Sequence, residues 1–524
     1  MNTKTLYTLF LLLTLTGATQ AQEMHRWWVT FTDKGSRVYS LAEPSEYLSP
    51  RALERRARLG IAVDSLDLPV NPYYLDFLRI AGGTVWAVSR WLNGAVIYAA
   101  DSIGIAPTLR IQDFVAGVQY YGQASIARTE MEDPPMGIPS LVQPYDTLYG
   151  PAYYGLGHYN IGTLNGTGLH RAGHGGEGLL IGVCDGGFPG VESMEVFDQL
   201  RQEGRLVATR DFVYGGDSVF DVHSHGTRVL STMAADLPGL YVGTAPKASY
   251  ALCRTEDIEN ESPIEELLWT AAVEYLDSLG VDVVNTSLGY RYYDDPAWNY
   301  PPEALDGQTA FMSRAADIAA SRGILVVVAS GNDGRDPSPN IGVPADSRQA
   351  LTVGALDHFG DRSVFSSFGP TADGRIKPDV MAPGEQVWVV NPDGTVQEVN
   401  GTSFAAPILA GMAACMMGRY PTLGPAAWAD SLRAWGSRTE YPDDEQGYGT
   451  PDFGLALRGT PAVGIGDSPR ITDDAPILRM ELYDATGRCL SVSKNADLSP
   501  LPCGIYFLRL VTPDGARTRR LVKL

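Results

Sequence analysis

Four polar residues occupy positions from which they could perform nucleophilic catalysis. They are Asp185 after the apolar run LLIGVC, His225 in HSHGTRV, Asn332 after ILVVVASG, and Ser403 before FAAPILAG. A serine hydroxyl attacks at neutral pH only when a base removes its proton, and a histidine base needs a carboxylate to fix its tautomer. An amide can donate a hydrogen bond to the negative charge that develops. Each residue alone is more simply a turn residue or a helix cap, but together they predict an acyl-transfer centre.

The segments around these residues predict one layered α/β domain from about residue 155 to residue 458. Five apolar runs have the composition of strands buried on both faces of a parallel sheet: GLLIGVC, ASYALC, VDVVNTSLG, ILVVVAS and ALTVGAL. Helices are predicted between them, as in SPIEELLWTAAVEYLDSLG, where Ser262 and Glu265 match a capping box and Gly280 a helix end. Loops at the C-terminal ends of parallel strands line a crevice, so we expect the four polar residues to meet there.

The chain before this domain divides into three predicted segments. Residues 1–21 have the layout of a secretory signal peptide, with Lys4, a Leu-rich run and then small residues, and a predicted cut after Ala21. A membrane anchor is the less favoured alternative, because the Leu-rich run is shorter than the roughly 20 apolar residues of a membrane span. Residues 22–121 predict a small α+β unit, with helices that begin after Ser49 and Asn71, each followed by proline. Residues 122–154 are predicted to be a linker rich in Pro, Tyr and Gly.

The chain after the domain predicts a second linker and a β-structured tail. Residues 459–475 form the linker, and residues 476–524 alternate like strands and contain an Asp514-Gly515 hairpin signal. We therefore expect a small all-β, sandwich-like tail. Cys489 and Cys503 are the one plausible disulfide couple on spacing.

The composition of the 524-residue chain excludes some classes of partner. A formal net charge of −21 argues against nucleic acid or an anionic membrane surface as partner, because both require basic patches. Five cysteines are too few for a disulfide scaffold. We expect Cys184, Cys253 and Cys415 to be small buried apolar residues.

A second histidine, His223, competes with His225 for the role of base. The pair also suggests a metal site, but no third ligand follows at a suitable spacing, and the sequence assigns no metal.

Seven stretches together resemble the subtilisin-like serine proteases, the S8-type subtilase family. IGVCDGGF, SHGTRV, VASGNDG and NGTSFAAPILAG are similar to the four signature motifs, in the order of that family. GTAPKASYAL, VVNTSLG and SSFGPTADGRIKPDVMAPG add to the match. The resemblance covers residues 155–458 and implies a subtilisin-like layered fold with a mainly parallel sheet.

The resemblance also implies a role for each candidate residue. Asp185 corresponds to the orienting carboxylate, His225 to the general base and acid, and Ser403 to the nucleophile. Asn332 and the Ser403 backbone N–H correspond to the oxyanion hole. The matching pocket for the residue before the scissile bond consists of Ser287, Leu288, Gly289, Ala329, Ser330 and Gly331 as walls and Gly342 near the base. The resemblance implies no required cofactor. Structural calcium is common in the family and is possible here, but no loop of this sequence can be assigned to a calcium site.

The sequence departs from the commonest family pattern at three positions. Phe404 replaces the usual methionine, Arg228 a frequent histidine, and Gly187 an aliphatic residue. The segment 188–222 is also longer than in compact members.

The flanking units carry weaker resemblances. SPRALERRARLGI and LPVNP, in residues 22–121, resemble propeptides that act as intramolecular inhibitors. LYDATGR and LPCGIYFLRL resemble the C-terminal sorting domain of the type IX secretion system, which implies outer-membrane secretion machinery as a partner. A carbohydrate-binding or adhesive β-module is the alternative for this tail.

These features predict a secreted serine endopeptidase that acts on proteins or peptides, located outside the cell or on the outer-membrane surface. The alternative is a catalytically inactive, subtilase-shaped adhesion or binding protein. An esterase is disfavoured, because GTSFAAP is not the G-x-S-x-G elbow of lipases and the chain order of the triad differs.

Overall fold

The computed structural model describes most of the chain. The described residues are 24–35, 38–100, 103–124, 141–458, 479–484, 489–493, 504–512 and 515–523. The predicted signal peptide, the linker 459–475 and the pairing of Cys489 with Cys503 lie outside them. No helix in these ranges is both long and apolar enough to cross a membrane.

The N-terminal unit is a four-stranded antiparallel sheet with three helices. Its elements are β1 (Met24–Phe31), α1 (Pro50–Leu59), α2 (Pro72–Ile80), β2 (Thr84–Ser89), β3 (Gly94–Ala99), α3 (Ile105–Arg110) and β4 (Val115–Ala124). The strand order is β2-β3-β1-β4, and α2 and α3 share a core with the sheet. Both predicted caps are confirmed: the Ser49 side chain accepts from the Ala52 N–H and the Asn71 side chain from the Tyr73 N–H. The predicted α+β unit is therefore present.

A seven-stranded parallel sheet forms the centre of the next domain. Its strands, in the order in which they lie side by side, are β13 (Val380–Pro383), β12 (Leu351–Leu356), β11 (Leu325–Ala329), β10 (Val283–Thr286), β5 (Leu180–Asp185), β9 (Ser249–Arg254) and β6 (Leu206–Asp211). The five apolar runs of the sequence are all strands of this sheet. Their residues are buried on both faces, as the runs predict.

Helices cover both faces of this sheet. One face packs on α8 (His225–Ala234) and on α11 (Thr402–Met417), whose residues are all buried. The other face packs on α9 (Ile264–Leu279) and α10 (Phe311–Ser321). Side chains alternate along β5, so that Val183 contacts the first layer and Cys184 the second. The predicted α/β layered architecture is correct.

Shorter elements complete the domain around these layers. They are α4 (Pro151–Tyr154), α5 (His158–Thr163), α6 (Thr167–Arg171), α7 (Asp198–Gln202), β7 (Asp236–Leu237), β8 (Tyr241–Val242), β14 (Val387–Val390), β15 (Val396–Val399), α12 (Pro425–Ala434) and α13 (Phe453–Arg458). The long segment 188–222 holds α7 and the edge strand β6, which accounts for its length. Cys184, Cys253 and Cys415 are buried free thiols, as expected.

The predicted capping box of α9 is half correct. The helix begins at Ile264, with Pro263 at the cap position and no side-chain cap. The Glu265 carboxylate accepts from the Ser262 N–H at 2.9 Å, as in a capping box. The Ser262 hydroxyl does not reciprocate, because the helix starts one residue later than the motif predicts.

The tail contains a four-stranded antiparallel sheet with the order β17-β16-β18-β19. These strands are β16 (Arg479–Asp484), β17 (Cys489–Ser493), β18 (Gly504–Thr512) and β19 (Gly515–Lys523). The predicted hairpin is present between β18 and β19. Its connection precedes the predicted position, because Gly515 already pairs with Thr512.

A buried ionic cluster joins the N-terminal unit to α9. Asp277 of α9 has no exposed surface and pairs with three guanidinium groups of the N-terminal unit, those of Arg55, Arg56 and Arg90. The Arg56 and Arg90 nitrogens lie 2.9 and 2.5 Å from the carboxylate. Burial by itself raises the pKa of Asp277, but the guanidinium groups more than offset this and hold it below the usual range. Asp277 is therefore the central anion of this interface.

Replacement of this anion should weaken the interface strongly. We expect Asp277→Asn to lower the free energy of unfolding of the N-terminal unit by about 3–5 kcal/mol, because three buried cations lose a shared carboxylate and only Arg56 keeps another, that of Asp67. Urea unfolding of the full chain, followed by tryptophan fluorescence, measures this. Asp76→Asn, in an exposed pair with Arg79, should cost below about 1 kcal/mol. An unchanged unfolding midpoint for Asp277→Asn would contradict the role of the cluster.

The same interface should weaken in acid. Because the pKa of Asp277 is lower in the folded chain, its stabilisation is complete above the unfolded value of ~3.9 and is lost as the pH falls through the folded value.

Candidate active site

One cavity of about 380 Å³ lies at the C-terminal edge of the parallel sheet. It opens where β5, β10 and β11 end and where α8 and α11 begin. The structure brings all of the predicted site residues to its lining: Asp185, His225, Ser287, Leu288, Gly289, Ala329, Ser330, Gly331, Asn332, Gly342 and Ser403. Residues up to 218 positions apart in the chain, from 185 to 403, therefore share one crevice.

The first contact in this cavity joins a carboxylate to an imidazole. The His225 Nδ1 lies 2.8 and 3.0 Å from Oδ1 and Oδ2 of Asp185, and Oδ1 also accepts from the Gly186 N–H at 2.8 Å. Asp185 is fully buried, and the His225 side chain is 24% exposed. A Cβ on Gly226 would lie 2.9 Å from the Asp185 Cβ and 2.4 Å from the Gly187 carbonyl oxygen. Only a glycine lets α8 start this close to the carboxylate.

The carboxylate also changes the basicity of the ring. Burial lowers the pKa of His225, but the adjacent Asp185 carboxylate more than offsets this, and the pKa lies above its ordinary value. The Asp185 contact thus favours a proton on His225, as a general base requires.

His223 lines the same cavity, with its ring centroid 6.1 Å from that of His225. The hydrogen bond to Asp185 is made by His225, which therefore fits the role of base better than His223 does. Within the described ranges, no group of three His, Cys, Asp or Glu residues is arranged to hold a metal ion.

Ser403 and Ser287 exchange two hydrogen bonds. The Ser403 hydroxyl donates to the Ser287 carbonyl at 3.3 Å, and the Ser287 hydroxyl donates to the Ser403 carbonyl at 2.7 Å. In a regular helix the Ser403 carbonyl would accept from residue 407, but Pro407 has no N–H. The Ser287 hydroxyl supplies the missing donor and so connects the first turn of α11 to the end of β10.

The Asn332 amide is oriented by Thr402. Its Oδ1 accepts from the Thr402 N–H at 3.0 Å and from the Thr402 hydroxyl at 3.1 Å. Engagement of Oδ1 leaves the Nδ2 donors available to a ligand in the cavity. Sequence reasoning missed Thr402, although its position directly before the candidate serine was a signal.

Arg254 is a second residue that sequence reasoning missed. It is fully buried at the end of β9, beside Asp185 in register. Its guanidinium donates to the Gly186 carbonyl at 3.2 Å and to the Asp221 carbonyl at 2.9 Å, and it pairs with Asp211 at 2.7 Å. It thereby joins the loop after Asp185 to the loop that leads to His225. A charged residue directly after the apolar run ASYALC was the available signal.

Two of the three departures from the family pattern, at Gly187 and Arg228, have a local explanation in the structure. A Cβ on Gly187 would lie 2.4 Å from the Asp221 carbonyl oxygen, so the two loops approach too closely for an aliphatic residue. Arg228 donates to the Asn391 side chain at 2.9 Å. Phe404 is buried with its ring centroid 5.8 Å from that of His225, and nothing in the structure explains why it replaces methionine.

Comparison with known families identifies the larger domain. The model of the Subtilase family, Peptidase S8, matches residues 176–449, which is more than half of the chain. The chain belongs to the subtilase family. The model of the Peptidase S8 propeptide domain of Bacteroidota matches residues 26–134, so the N-terminal unit is a subtilase propeptide domain.

Individual subtilases show the same relationship. Subtilisin DY of Bacillus licheniformis is 31% identical over 267 residues, which cover 51% of this chain and 86% of the relative. Subtilisin NAT of Bacillus subtilis subsp. natto is 31% identical over 278 residues, which cover 53% of this chain and 65% of the relative. A solved structure, of a cold adapted subtilisin-like serine proteinase, is 25% identical and covers 53% of this chain and 88% of its own, with a TM-score of 0.41. Homology to subtilisins supports a serine peptidase activity for this subtilase.

Loss of the Ser287 hydroxyl should destabilise the site of this subtilase. We expect Ser287→Ala to lower the free energy of unfolding by about 1–3 kcal/mol, because the buried Ser403 carbonyl loses its donor. Thermal unfolding measures the change. Ser193→Ala removes an exposed hydroxyl and should change stability by less than about 0.5 kcal/mol.

A second substitution tests the cause. Pro407→Ala restores a helical N–H for the Ser403 carbonyl, so it should recover much of the loss when combined with Ser287→Ala. Equal stabilities of wild type and Ser287→Ala would contradict this account.

Proposed function

We propose that this subtilase is a secreted serine endopeptidase that hydrolyses peptide bonds through an acyl-enzyme. The triad consists of Asp185, His225 and Ser403. The observation that supports this most strongly is the hydrogen bond between His225 and the buried Asp185, in the cavity that Ser403 also lines. The proposed steps use protein groups and water and require no cofactor.

The first step begins with the Ser403 hydroxyl. The hydroxyl breaks its hydrogen bond to the Ser287 carbonyl and gives its proton to His225. The Ser403 oxygen then attacks the carbonyl carbon of the substrate. Asp185 stabilises the imidazolium that forms. His225 then gives the proton to the leaving amine, which leaves an acyl group on Ser403. Water, activated by His225, hydrolyses this ester and restores the serine.

Two donors would bind the oxyanion of each tetrahedral intermediate. Ser403 is the second residue of α11, so its N–H has no acceptor within the helix. Asn332 can contribute its Nδ2, because Thr402 occupies the Oδ1. The positive end of the α11 dipole also favours negative charge at this place.

The proposed pocket for the residue before the scissile bond lies between the ends of β10 and β11. Ser287, Leu288 and Gly289 form one wall and Ala329, Ser330 and Gly331 the other, with Gly342 near the base. The base is closed by paired hydrogen bonds between Tyr290 and Val343 at 2.8 and 2.9 Å. Small wall residues leave room for a side chain of the substrate.

Covalent labelling tests this function. We expect a fluorophosphonate probe to label the wild-type protein and not Ser403→Ala, because the probe requires an activated serine. Gel fluorescence and intact mass measure the label, and circular dichroism of Ser403→Ala checks its fold. A correctly processed wild type that remains unlabelled would favour the binding-protein alternative instead.

We further propose that the chain is exported and matures by proteolysis. The propeptide domain, residues 22–121, would inhibit the peptidase domain through its contact with α9 until it is removed. The β tail would direct type IX secretion across an outer membrane through the secretion machinery, which would place the mature peptidase outside the cell or on its surface. The resemblance of LYDATGR and LPCGIYFLRL to sorting domains supports the last step.

The processing sites of the exported protein test this proposal. We expect the N-terminus of the mature protein between residues 122 and 155 and loss or modification of residues 476–524. N-terminal sequencing and intact mass of the secreted protein measure both ends. Export unchanged by deletion of residues 476–524 would contradict the sorting role.

A further inference from the structure

Glu256 lines the cavity of the candidate active site, yet neither the proposed triad nor the proposed pocket uses it. It lies two residues after the end of β9. The Thr255 N–H donates to the Asp185 carbonyl at 3.0 Å, which extends this strand pairing past Asp185. Glu256 therefore lies on the Asp185 side of the cavity, together with His223 and His225.

One carboxyl oxygen of Glu256 is unsatisfied. Its Oε2 is buried and has no hydrogen-bond partner among the described residues. Buried polar atoms are almost always paired in folded proteins, and this oxygen, at the wall of a cavity, is available to a hydrogen-bond donor that enters the cavity. Burial, followed by the nearby carboxylates of Glu261 and Asp185, raises the pKa of Glu256 to about 8.

Two neighbouring carboxylates, those of Glu265 and Asp257, differ from Glu256 because each accepts hydrogen bonds from within the protein. Glu265 accepts from the N–H groups of Asp257 and Ser262 at 2.8 and 2.9 Å. Asp257 accepts from the Glu259 N–H at 3.2 Å and from the Asn260 amide at 3.1 Å. The structure thus satisfies these acids internally and leaves Glu256 open to the cavity.

The charges around Glu256 favour a cation as its ligand. The negative charges of Glu261, Asp185 and Asp257 raise the pKa of Glu256. Among its main charged neighbours, His225 alone lowers this pKa. A positive group beside Glu256 would meet several carboxylates at once, whereas an anion would be repelled. This distinguishes the Glu256 side of the cavity from the pocket walls, which consist of small uncharged residues and Leu288.

The order of the strands fixes the distance between the two regions. The pocket walls follow β10 and β11, and Glu256 follows β9, two strands from β10 in the order β10-β5-β9. Strands lie ~4.8 Å apart, so the two regions are about 10 Å apart along the edge of the sheet. A substrate residue next to the one in the pocket can span this distance with a long side chain, as lysine and arginine have.

We propose that Glu256 selects substrates with a lysine or arginine next to the residue in the pocket, by pairing its carboxylate with the cationic side chain. This inference rests on the proposed peptidase function and specifies its substrate class. The pair forms in a partly desolvated site, where charge-assisted hydrogen bonds are stronger than at an exposed surface.

Peptide cleavage by protein produced from the full-length chain tests the inference. The substrates are quenched fluorescent peptides with one cleavage site, which differ by Lys, Arg, Gln, Ala or Glu at single positions on either side of it. We expect kcat/KM for the best Lys or Arg peptide to exceed that of the Ala peptide at least about tenfold in wild type. In Glu256→Gln this ratio should fall to below about twofold, and the Glu peptide should be cleaved better than by wild type.

Glu259→Gln is the matched control, because it removes one exposed charge from the same loop and keeps Glu256. It should retain the Lys or Arg preference. The inference would be overturned if wild type shows no preference for Lys or Arg, or if the Gln peptide is cleaved as well as the Lys or Arg peptide. It would also be overturned if Glu256→Gln keeps the preference, or if Glu259→Gln loses it equally. If the Ala peptide is still cleaved and the fluorophosphonate probe still labels Ser403, the proposed function survives that result. A wild type that neither cleaves nor labels overturns both.

Discussion

A carboxylate with no exposed surface is the constraint on which the site depends. Asp185 is kept in the protein interior by the Gly186 N–H and the His225 ring, which replace the water it has lost. These contacts require the backbone to approach closely on two sides, and Gly187 and Gly226 provide the space. Arg254 then joins the loops that carry the partners of this carboxylate. The local sequence around Asp185 and His225 is therefore shaped by one buried charge.

The layered fold and the candidate site could be predicted from the sequence because their signals are local. A buried strand is a continuous apolar run, and a polar residue directly after it lies at the edge of the sheet. Contacts between distant residues leave no such signal. The pairs Ser287–Ser403 and Thr402–Asn332, and the position of Glu256 in the cavity, depend on which strands become neighbours. The capping box of α9 is half correct, and the hairpin connection before Gly515 is shifted. A motif therefore predicts that an element exists more accurately than it predicts the residue at which the element begins.

Helix α9 relates the propeptide domain to the cavity. Its C-terminal end carries Asp277 and receives three guanidinium groups of the propeptide domain, while its N-terminal end carries Glu265, which anchors the loop that holds Glu256. Apolar residues of the propeptide domain, such as Trp28 and Tyr98, pack along the same helix between these ends. Buried ion pairs contribute little net stability but cost much when one partner is missing. The interface therefore favours one register of the propeptide domain on α9.

Pro407 has a consequence for the motion of Ser403. The first turn of a helix usually frays, because its hydrogen bonds are the last to form and the first to open. The proline removes one of these bonds, and Ser287 replaces it with a bond from the central sheet. Thermal displacement of Ser403 is therefore coupled to that of β10, one of the most interior strands of the protein.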